Sequence, residues 1–510
     1  MFEAAELGRK IAKEEFDRIA PALRTEMVEI QQNLRRADFP VILVFAGVDG
    51  AGKSESANLL NEWMDPRWIQ TQVYGDPTRE EIEKPEYWRY WRDLPPKGQF
   101  AIYLSAWYSR PVLDHVYGGT DRADLDATLD RINSFEKTLT DDGALVLKFW
   151  MHLSQPEQKK RLKKLERDPD QSWRVTKADW KNYKNYDRFI ATAERTIMRT
   201  STGDAPWMIV EGKDNRYRSL TVLSTIRDAV RKHLKHREAE LKISAEMRKS
   251  RREAATGKGK ADKAPTTVLN GQPSILDKLD MDQAVSRETY RTEIRKLRAR
   301  LNALYRQSKA AGFSTLAVFE GWDAGGKGGT IRRMVSALDA RDYRVLPFAA
   351  PTDEEAARHY LWRFWRHIPR AGRLTVFDRS WYGRVLVERV EHFASDEEWG
   401  RAYAEINDFE AQLVEHGSLL LKFWMNITKE EQEARFKNRE VTPYKSWKLT
   451  DEDWRNREKW DEYELAVNEM VERTSTLIAP WTLVEGNDKR FARLKVVRTL
   501  CDRLQARLEG

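Results

Sequence analysis

Short apolar runs separated by longer charged segments dominate this chain. Two of the runs, VILVFAG (residues 41–47) and TLAVFEG (315–321), are rich in β-branched residues and end in glycine. Such a run is typical of a buried parallel strand that leads into a glycine loop. Further runs of this kind are LTVFDRS (374–380), LLLKFWM (419–425) and WTLVEG (481–486). Because helical, charged segments separate them, the pattern predicts an α/β fold with helices on both faces of a parallel sheet.

The same pattern occurs twice, because the chain is an internal repeat. Gly47 and Gly321, which end the first two runs, lie 274 residues apart. The same offset relates WYSR (107–110) to WYGR (381–384), LKFWM (147–151) to LKFWM (421–425), and APW (205–207) to APW (479–481). A period of this length far exceeds the roughly 20–50 residues of a solenoid repeat. The sequence therefore predicts two whole domains.

The segment between the two repeats has the composition of a linker. From residue 237 it begins as a charged helical pattern and then becomes rich in Gly, Lys, Ala and Pro, which cannot build a core. We expect a first domain at residues 1–240, a basic flexible linker at 241–274 and a second domain at 275–510.

Composition and charge narrow the class of protein. Hydrophobic residues make up 41% of the 510 residues and charged residues 33%, which suits folded cores under a highly charged surface. No window approaches the roughly 18 apolar residues of a membrane span, and a single cysteine, Cys501, excludes a disulfide framework. These features favour a cytoplasmic protein without a membrane partner. The net charge of +8 suits an anionic partner, although the basic stretch 227–263 could account for most of it.

Each repeat carries a glycine loop of the phosphate-binding type after its first predicted strand. The first loop has Gly47, Gly52, Lys53 and Ser54, whereas the second has Gly321, Gly326, Lys327 and Gly328. In such loops backbone N–H groups and the lysine surround phosphate oxygens at the start of a helix. Judged by this pattern alone, the second loop is the poorer one, since it lacks the hydroxyl that usually helps to hold Mg²⁺.

Carboxylates near the loops reverse that judgement. Asp323 lies inside the second loop, and a carboxylate so close to phosphates suggests a metal ligand, the alternative being a turn-forming aspartate. A second carboxylate, Asp378, ends a later apolar run and is followed by Arg379. The first repeat keeps the loop aspartate as Asp49 but has Leu104 and Ser105 at the other two positions, so it lacks part of the predicted metal site.

Basic residues further along the second repeat are candidate phosphate ligands. Arg435 and Arg439 are spaced to share one helical face, and Lys445 follows them, as in a lid that closes over phosphates. A solvated basic helix is the alternative. The first repeat has Leu165 and Gln171 in place of Arg439 and Lys445. In a separate Trp-rich run, Arg363 and Arg366 are further candidates for contact with a phosphate chain.

Taken together, the motifs GWDAGGKGG, FDRSWYGR, LLKFWMNITKEEQEARFKNR, SWKLTDEDW and DKRFARL resemble those of polyphosphate kinase family 2. The resemblance covers both repeats, and within that family Gly328 is the normal residue. It implies two tandem thymidylate-kinase-like P-loop domains, each a three-layer α/β/α sandwich with a helical lid. It also implies Mg²⁺-dependent phosphoryl transfer between inorganic polyphosphate and a nucleotide, with AMP converted to ADP by tandem members.

The resemblance also implies roles for individual residues of the second repeat. Asp323 and Asp378 would hold Mg²⁺, and Lys327, Arg379, Arg435 and Arg439 would bind and neutralise the phosphates in transfer. Further phosphate contacts are expected from Gly321, Gly325, Gly326, Gly328, Arg363, Arg366, Arg384 and Lys445. The first repeat departs from the family at Leu104, Ser105 and Leu165, so we expect it to be non-catalytic.

Three other functions remain open from the sequence. An ATP-dependent nucleotide kinase shares the fold and the loop, and a nucleic-acid-binding P-loop ATPase would suit the basic balance and the 19 tryptophans. The tryptophans recur at equivalent positions inside predicted elements, which favours core packing over exposed stacking platforms, so no nucleic-acid partner is expected. A non-catalytic phosphate-binding scaffold is the third. The expected partners are polyphosphate, AMP and ADP, with either homo-oligomers or an internal pseudo-dimer of the repeats.

Overall fold

The computed structural model describes residues 1–256, 274–442 and 451–509. The chain forms two compact units. The first contains Met1–Pro77, Tyr90–Ala261 and Ala356–His359, and the second contains Thr78–Arg89, Asp262–Glu355 and Tyr360–Gly510. Each unit thus takes most of its residues from one sequence repeat and a short segment from the other.

Each unit is built on a parallel sheet, as the sequence predicts, and each sheet has five strands. The first sheet comprises β1 (Val41–Gly47), β2 (Ile69–Val73), β3 (Phe100–Leu104), β4 (Leu145–His152) and β5 (Trp207–Glu211), in the order β2-β3-β1-β4-β5. The second comprises β6 (Thr315–Gly321), β7 (Tyr343–Pro347), β8 (Leu374–Asp378), β9 (Leu419–Asn426) and β10 (Trp481–Glu485), in the order β10-β9-β6-β8-β7. The two sheets therefore have the same topology, with the glycine loop following the central strand.

The strand register is also the same in the two sheets. Val41 of β1 pairs with Phe100 and Leu145. Thr315 of β6 pairs with Leu374 and Leu419, each 274 residues later. The edge strands β2 and β7 are not apparent as apolar runs, because both have exposed or half-buried residues along most of their length.

Helices fill the connections between the strands. In the first half of the chain they are α1 (Lys13–Leu34), α2 (Lys53–Trp63), α3 (Arg79–Ile82), α4 (Trp88–Arg92), α5 (Ser109–Val116), α6 (Arg122–Asp141), α7 (Gln155–Arg167), α8 (Lys177–Lys184), α9 (Tyr186–Thr200) and α10 (Asn215–Thr256). In the second half they are α11 (Arg287–Ala311), α12 (Lys327–Val335), α13 (Asp353–Ala356), α14 (Trp362–Trp365), α15 (Val387–Val390), α16 (Asp396–Glu415), α17 (Lys429–Glu440), α18 (Asp451–Glu458), α19 (Trp460–Thr474) and α20 (Lys489–Glu509). Short 3₁₀ turns occur at Phe2–Ala5, Pro66–Trp68, Ser172–Arg174, Ile275–Lys278 and Trp381–Arg384. In residues 1–256, 274–442 and 451–509, no helix is both long and apolar enough to cross a membrane.

One face of each sheet is covered by the helices that flank the glycine loop. In the second unit the buried side chains of Leu301 (α11), Met334 (α12) and Val497 (α20) pack in one cluster with Phe319 and Phe423 of the sheet. The corresponding cluster of the first unit is formed by α1, α2 and α10 on β1 and β4. Burial of these apolar surfaces is the main stabilising contribution to each unit.

The other face of each sheet contains a buried ion pair. In the second unit Lys422 donates to Glu410 (2.7 Å) and to the Tyr382 hydroxyl (2.9 Å), and all three side chains are buried. Lys148 donates to Glu136 (2.6 Å) at the same place in the first unit. Burial raises the pKa of each glutamate and lowers the pKa of each lysine. The repeated WYxR and LKFWM motifs are therefore explained in large part by packing.

Candidate active site

The second glycine loop has a backbone that only glycine accommodates at two positions. Gly321 has φ of 143°, and a Cβ on it would lie 2.5 Å from the Met425 carbonyl oxygen. Gly326 has φ of 102° and directly precedes α12, which begins at Lys327. The loop therefore leads directly into the N-terminal end of α12, as anion-binding loops do.

Lys327 bends back over this loop. Its Nζ donates to the carbonyl oxygens of Gly321 (2.6 Å) and Trp322 (3.2 Å). A lysine held in this position adds a positive charge at the place where the loop would receive a phosphate group.

The structure brings Asp323 and Arg379 together at the loop. Arg379 Nη2 lies 3.2 Å from Asp323 Oδ1, and Asn456 donates to Asp323 Oδ2 (3.0 Å). Arg379 has a positive φ of 65°, and its backbone N–H donates to the Phe319 carbonyl oxygen (3.1 Å). This turn directly follows Asp378, which ends β8 in register with Phe319 of β6. Arg379 and Asp323 thus meet at the carboxyl edge of the sheet, where ligands bind in α/β folds, and Asp378 ends a neighbouring strand at the same edge.

A cavity of about 80 Å³ opens beside these groups. Its polar lining includes Glu320, Asp323, Lys327 and Arg379, and its apolar wall includes Leu386. A small cavity of this composition suits one end of a phosphorylated ligand.

Glu320 is a member of this cavity that the sequence reasoning missed. Its side chain is buried and accepts a hydrogen bond from Ser380 Oγ (2.8 Å). Burial raises the pKa of this carboxyl, although Ser380, Lys327 and Arg379 oppose the shift. A comparison of equivalent positions in the two repeats could have identified this pair, because the first repeat has Ala46 and Ala106 in place of Glu320 and Ser380.

A larger basic groove of about 450 Å³ is lined in part by the same loop. Gly325 and Gly326 form its floor, and Arg439, Lys489 and Arg493 line it. Lys489 and Arg493 were not predicted as phosphate ligands from the sequence, although both belong to the motif DKRFARL. Four cations, these three and Arg435, make the groove suitable for a chain of phosphates.

Arg435 has a different position from that of a mobile lid arginine. Its side chain is only 6% exposed and donates to the carbonyl oxygens of Ala324 (2.8 Å), Gly486 (2.6 Å) and Asn487 (3.0 Å). It also pairs with Glu431 (2.6 Å). Arg435 therefore braces the loop, and Arg439, the other arginine predicted in this helix, lines the basic groove.

Four predicted phosphate ligands line neither of these two cavities, namely Arg363, Arg366, Arg384 and Gly328. Arg363 pairs with Glu355 (3.3 Å), and Arg366 lies over the Trp362 ring. Arg384 pairs with Glu388 (3.2 Å). Lys445 lies outside the described residues. Gly328 opens the first turn of α12 just after Lys327, and a Cβ at this position would meet nothing within 4 Å.

The first glycine loop shares two of these contacts, from Lys53 to the Gly47 carbonyl oxygen (2.6 Å) and from Asn182 to Asp49 (2.8 Å), but differs in a third. Lys53 Nζ lies 3.3 Å from Asp49 Oδ1, so this lysine is paired with the carboxylate of its own loop. Ser105 takes the place of Arg379, and its short, neutral side chain cannot form an ion pair with Asp49. The loop aspartate therefore has an arginine partner in one repeat and a lysine partner in the other.

Side chains of the first unit also fill the space above its loop. Glu55, at the position of Gly329, forms ion pairs with Arg218, Arg161 and Arg174. Burial alone would raise the pKa of Glu55, but the three arginines outweigh burial and hold that pKa below its usual value. The Arg218 guanidinium is packed directly against Gly52 and is 2% exposed. A carboxylate of the chain thus stands where the second loop would receive a phosphate.

Comparison with known proteins agrees with this arrangement. The family model for polyphosphate kinase 2 matches residues 10–238 and 284–509, so it matches each repeat once. The chain belongs to the polyphosphate kinase 2 family. Within the family it is similar to the polyphosphate:AMP phosphotransferase of Pseudomonas aeruginosa, at 49% identity over 99% of both chains.

Two further relatives extend this comparison. The polyphosphate:AMP phosphotransferase of Acinetobacter johnsonii is 37% identical over 91% of both chains. A crystal structure assigned to polyphosphate kinase 2 from Pseudomonas aeruginosa PA01 superposes on the whole chain with a TM-score of 0.87 at 46% identity. The two-unit architecture is therefore shared with a tandem member of the polyphosphate kinase 2 family.

Proposed function

We propose that this chain transfers a phosphoryl group from inorganic polyphosphate to AMP and so forms ADP, and that the second repeat performs the reaction. The observation that carries the proposal is the pairing of Arg379 with Asp323 at a loop whose lysine remains on backbone carbonyls. The relatives that match nearly the whole chain bear the name polyphosphate:AMP phosphotransferase, which supports this choice of donor and acceptor.

The geometry suggests how the two substrates are arranged. Arg439, Lys489 and Arg493 would hold the polyphosphate chain in the basic groove, and the loop N–H groups and Lys327 would hold its terminal phosphate. The AMP phosphate would enter from the smaller cavity, where Arg379 lies. Because two anions must meet, positioning and neutralisation by these cations account for most of the rate enhancement.

Mg²⁺ fits the carboxylates of this site. In the described parts of the chain no group of three or more His, Cys, Asp or Glu side chains could hold a metal. Mg²⁺ typically binds one or two protein carboxylates together with substrate phosphates, so Asp323 and Asp378 suffice as its protein ligands. When bound there, the ion would neutralise charge on the phosphate oxygens.

We assign a non-catalytic role to the first domain, residues 1–240, which a linker at 241–274 joins to the catalytic domain at 275–510. The Glu55 cluster and the residues Leu104, Ser105 and Leu165 support this division. We place the reaction in the cytoplasm, where nucleotides are available and where a single buried cysteine, Cys501, would remain reduced.

A comparison of equivalent lysines tests the proposal. Wild type, Lys327→Ala and Lys53→Ala are assayed for ADP formation from AMP and polyphosphate without ATP. We expect Lys327→Ala to lose about a hundredfold or more of the rate, as for removal of one charge-stabilising donor, while Lys53→Ala keeps it. If Lys53→Ala is the inactive variant, the assignment to the second repeat is wrong. If the wild type turns over AMP only with ATP, the protein is an ATP-dependent nucleotide kinase.

A further inference from the structure

Helix α7 of the first unit, Gln155–Arg167, has an exposed basic face. Its five members all have exposed side chains: Lys159, Lys160, Lys163, Lys164 and Arg167. They recur at spacings of three and four residues, so they form one stripe of about 12 Å along the helix. The opposite face of α7 packs into the unit through Gln158, Leu162 and Leu165.

The two acidic residues of the same helix form no ion pair with this stripe. Glu157 pairs with Lys213 (3.0 Å), and the Glu166 carboxylate accepts a hydrogen bond from Trp180 (2.6 Å). Within residues 1–256, 274–442 and 451–509, none of the five stripe residues forms an ion pair with a carboxylate. Arg161 of the same helix is turned inward to Glu55 and does not belong to the stripe.

The equivalent helix of the second unit shows that the fold does not require this charge. Helix α17 has four Lys or Arg and four Glu, whereas α7 has six Lys or Arg and only two Glu. At the five stripe positions α17 has Glu433, Ala434, Lys437, Asn438 and Val441. Its Lys437 pairs with Glu433 (2.6 Å). The buried glutamine is the same in both helices, Gln158 and Gln432, so the repeats diverge in charge at the exposed positions.

We propose that the basic face of α7 binds inorganic polyphosphate and thereby tethers a long chain while its end reacts in the second unit. The inference rests on the proposed function, because it takes polyphosphate as the substrate. A flexible polyanion with one negative charge per phosphate matches a row of cations that form no ion pairs with carboxylates of the described residues. Glu55 and its arginines fill the loop of the first unit, so the tether lies outside that loop and involves no transfer step.

The benefit of such a tether depends on chain length. A long polyphosphate that occupies both the stripe and the catalytic groove is held at a high effective concentration near the loop, even when each contact alone is weak. A chain of a few phosphates fits in the groove alone and gains nothing from the stripe. The stripe should therefore lower KM for long chains without affecting KM for short chains or for AMP.

A four-residue neutralisation in the full-length protein tests this inference. In Lys159→Gln/Lys160→Gln/Lys163→Gln/Lys164→Gln, glutamine keeps the helix propensity and removes four charges. We expect KM for long polyphosphate to rise about tenfold and its salt dependence to become weaker, with KM for tripolyphosphate and for AMP unchanged. The matched control is Arg287→Gln/Arg291→Gln/Arg295→Gln/Lys296→Gln on α11, which changes the net charge equally at exposed positions and should leave KM for long chains unchanged.

Three kinetic outcomes and two binding outcomes would overturn the tether. An unchanged KM for long chains, an equal rise for tripolyphosphate, or an equal rise in the α11 control would each exclude a local binding face. Direct binding of long polyphosphate and of single-stranded RNA of matched charge is measured in parallel. Loss of RNA binding with unchanged polyphosphate binding would assign the face to nucleic acid instead. If the wild type transfers no phosphoryl group from polyphosphate, the proposed function is wrong. If the α7 variant binds polyphosphate as tightly as the wild type does, the tether is wrong, whatever the outcome for the proposed function.

Discussion

The Arg379 guanidinium lies 3.2 Å from the carboxylate of Asp323, the aspartate inside the second glycine loop. At the corresponding place in the first repeat, Asp49 instead lies 3.3 Å from Lys53 of its own loop. Arg379 thus holds the loop carboxylate in place of the loop lysine. Lys327 then retains its charge for a phosphate, because its contacts are with neutral carbonyl groups.

Removing Arg379 should reduce activity through both charge and position. In Arg379→Ala we expect kcat/KM for AMP to fall about a hundredfold or more, since one cation is lost from the path of the transferred group. Steady-state assays with AMP and polyphosphate measure this. Ser105→Ala, at the equivalent position of the first repeat, is the control and should behave as the wild type does.

Gly329 and Glu55 occupy equivalent positions, so Gly329→Glu should place in the second loop a carboxylate like that of Glu55 in the first. In Gly329→Glu the new side chain would lie beside Arg493, since a Cβ on Gly329 is 3.4 Å from its Nη2. We expect this variant to lose polyphosphate-dependent activity because the carboxylate would compete with the phosphate. Gly329→Ala is the control for size, and comparable inactivity of both variants would contradict a role for charge.

The reciprocal variant, Glu55→Gly, should open an anion site in the first unit. Arg218 and Arg161 would lose their carboxylate, and we expect a lower thermal midpoint in anion-free buffer. Pyrophosphate at about 100 times its Kd should then return about 2.7 kcal/mol of stability. Calorimetry measures both effects, and a midpoint that pyrophosphate raises equally in the wild type would contradict the prediction.

The buried carboxyl of Glu320 should make the stability of the second unit fall as pH rises. Its pKa is raised in the folded state by burial, so the folded protein keeps a proton that the unfolded chain releases above about pH 4.3. The contribution of Glu320 to the free energy of unfolding is therefore fully present below that pH. It is lost progressively as the pH rises to the folded-state pKa. In Glu320→Gln this part of the pH dependence should disappear, as measured by urea unfolding between about pH 5 and 9. Glu288→Gln, on the surface of α11, is the control and should give the wild-type profile.

The buried pair of Lys422 and Glu410 should respond strongly to loss of one partner. In Glu410→Gln the lysine remains buried without a counter-charge, and we expect a loss of about 3–5 kcal/mol in the second unit. Hydrogen exchange of β9 measures this loss separately from β4 of the first unit. The double variant Glu410→Leu/Lys422→Met should be clearly more stable than the single variant. Equal stability of the two would contradict the unpaired-charge explanation.

The sequence contains most of the fold and much of the site. The central strands and the duplication are readable because β-branched runs and exact offsets are local signals. The weaker edge strands β2 and β7 are not, since their burial depends on neighbours that the sequence does not place. The metal-ligand roles of Asp323 and Asp378 are predicted from their positions in the loop and at a strand end, whereas the role of Arg379 is implied by the family resemblance. The structure brings Asp323 and Arg379 into contact.

Residues whose role depends on distant contacts were harder to find. Arg218 fills the first loop from α10, 163 residues after Glu55, and occupies the position that Ala492 has in the second repeat. Nothing in the local pattern of α10 indicates that contact. The position of Arg435 under the loop likewise depends on the carbonyl groups of Gly486 and Asn487, which a helical periodicity cannot reveal.

The ion pairs Glu136–Lys148 and Glu410–Lys422 are the same in the two repeats, whereas the rims of the two glycine loops have diverged. After duplication, the constraint on folding and the constraint on chemistry have thus acted on separate sets of positions. The first unit is consequently a suitable scaffold for engineering. Substitutions confined to its loop rim, at Ala46, Glu55, Leu104, Ser105, Ala106, Leu165 and Arg218, should be able to install a second active centre without redesigning the core.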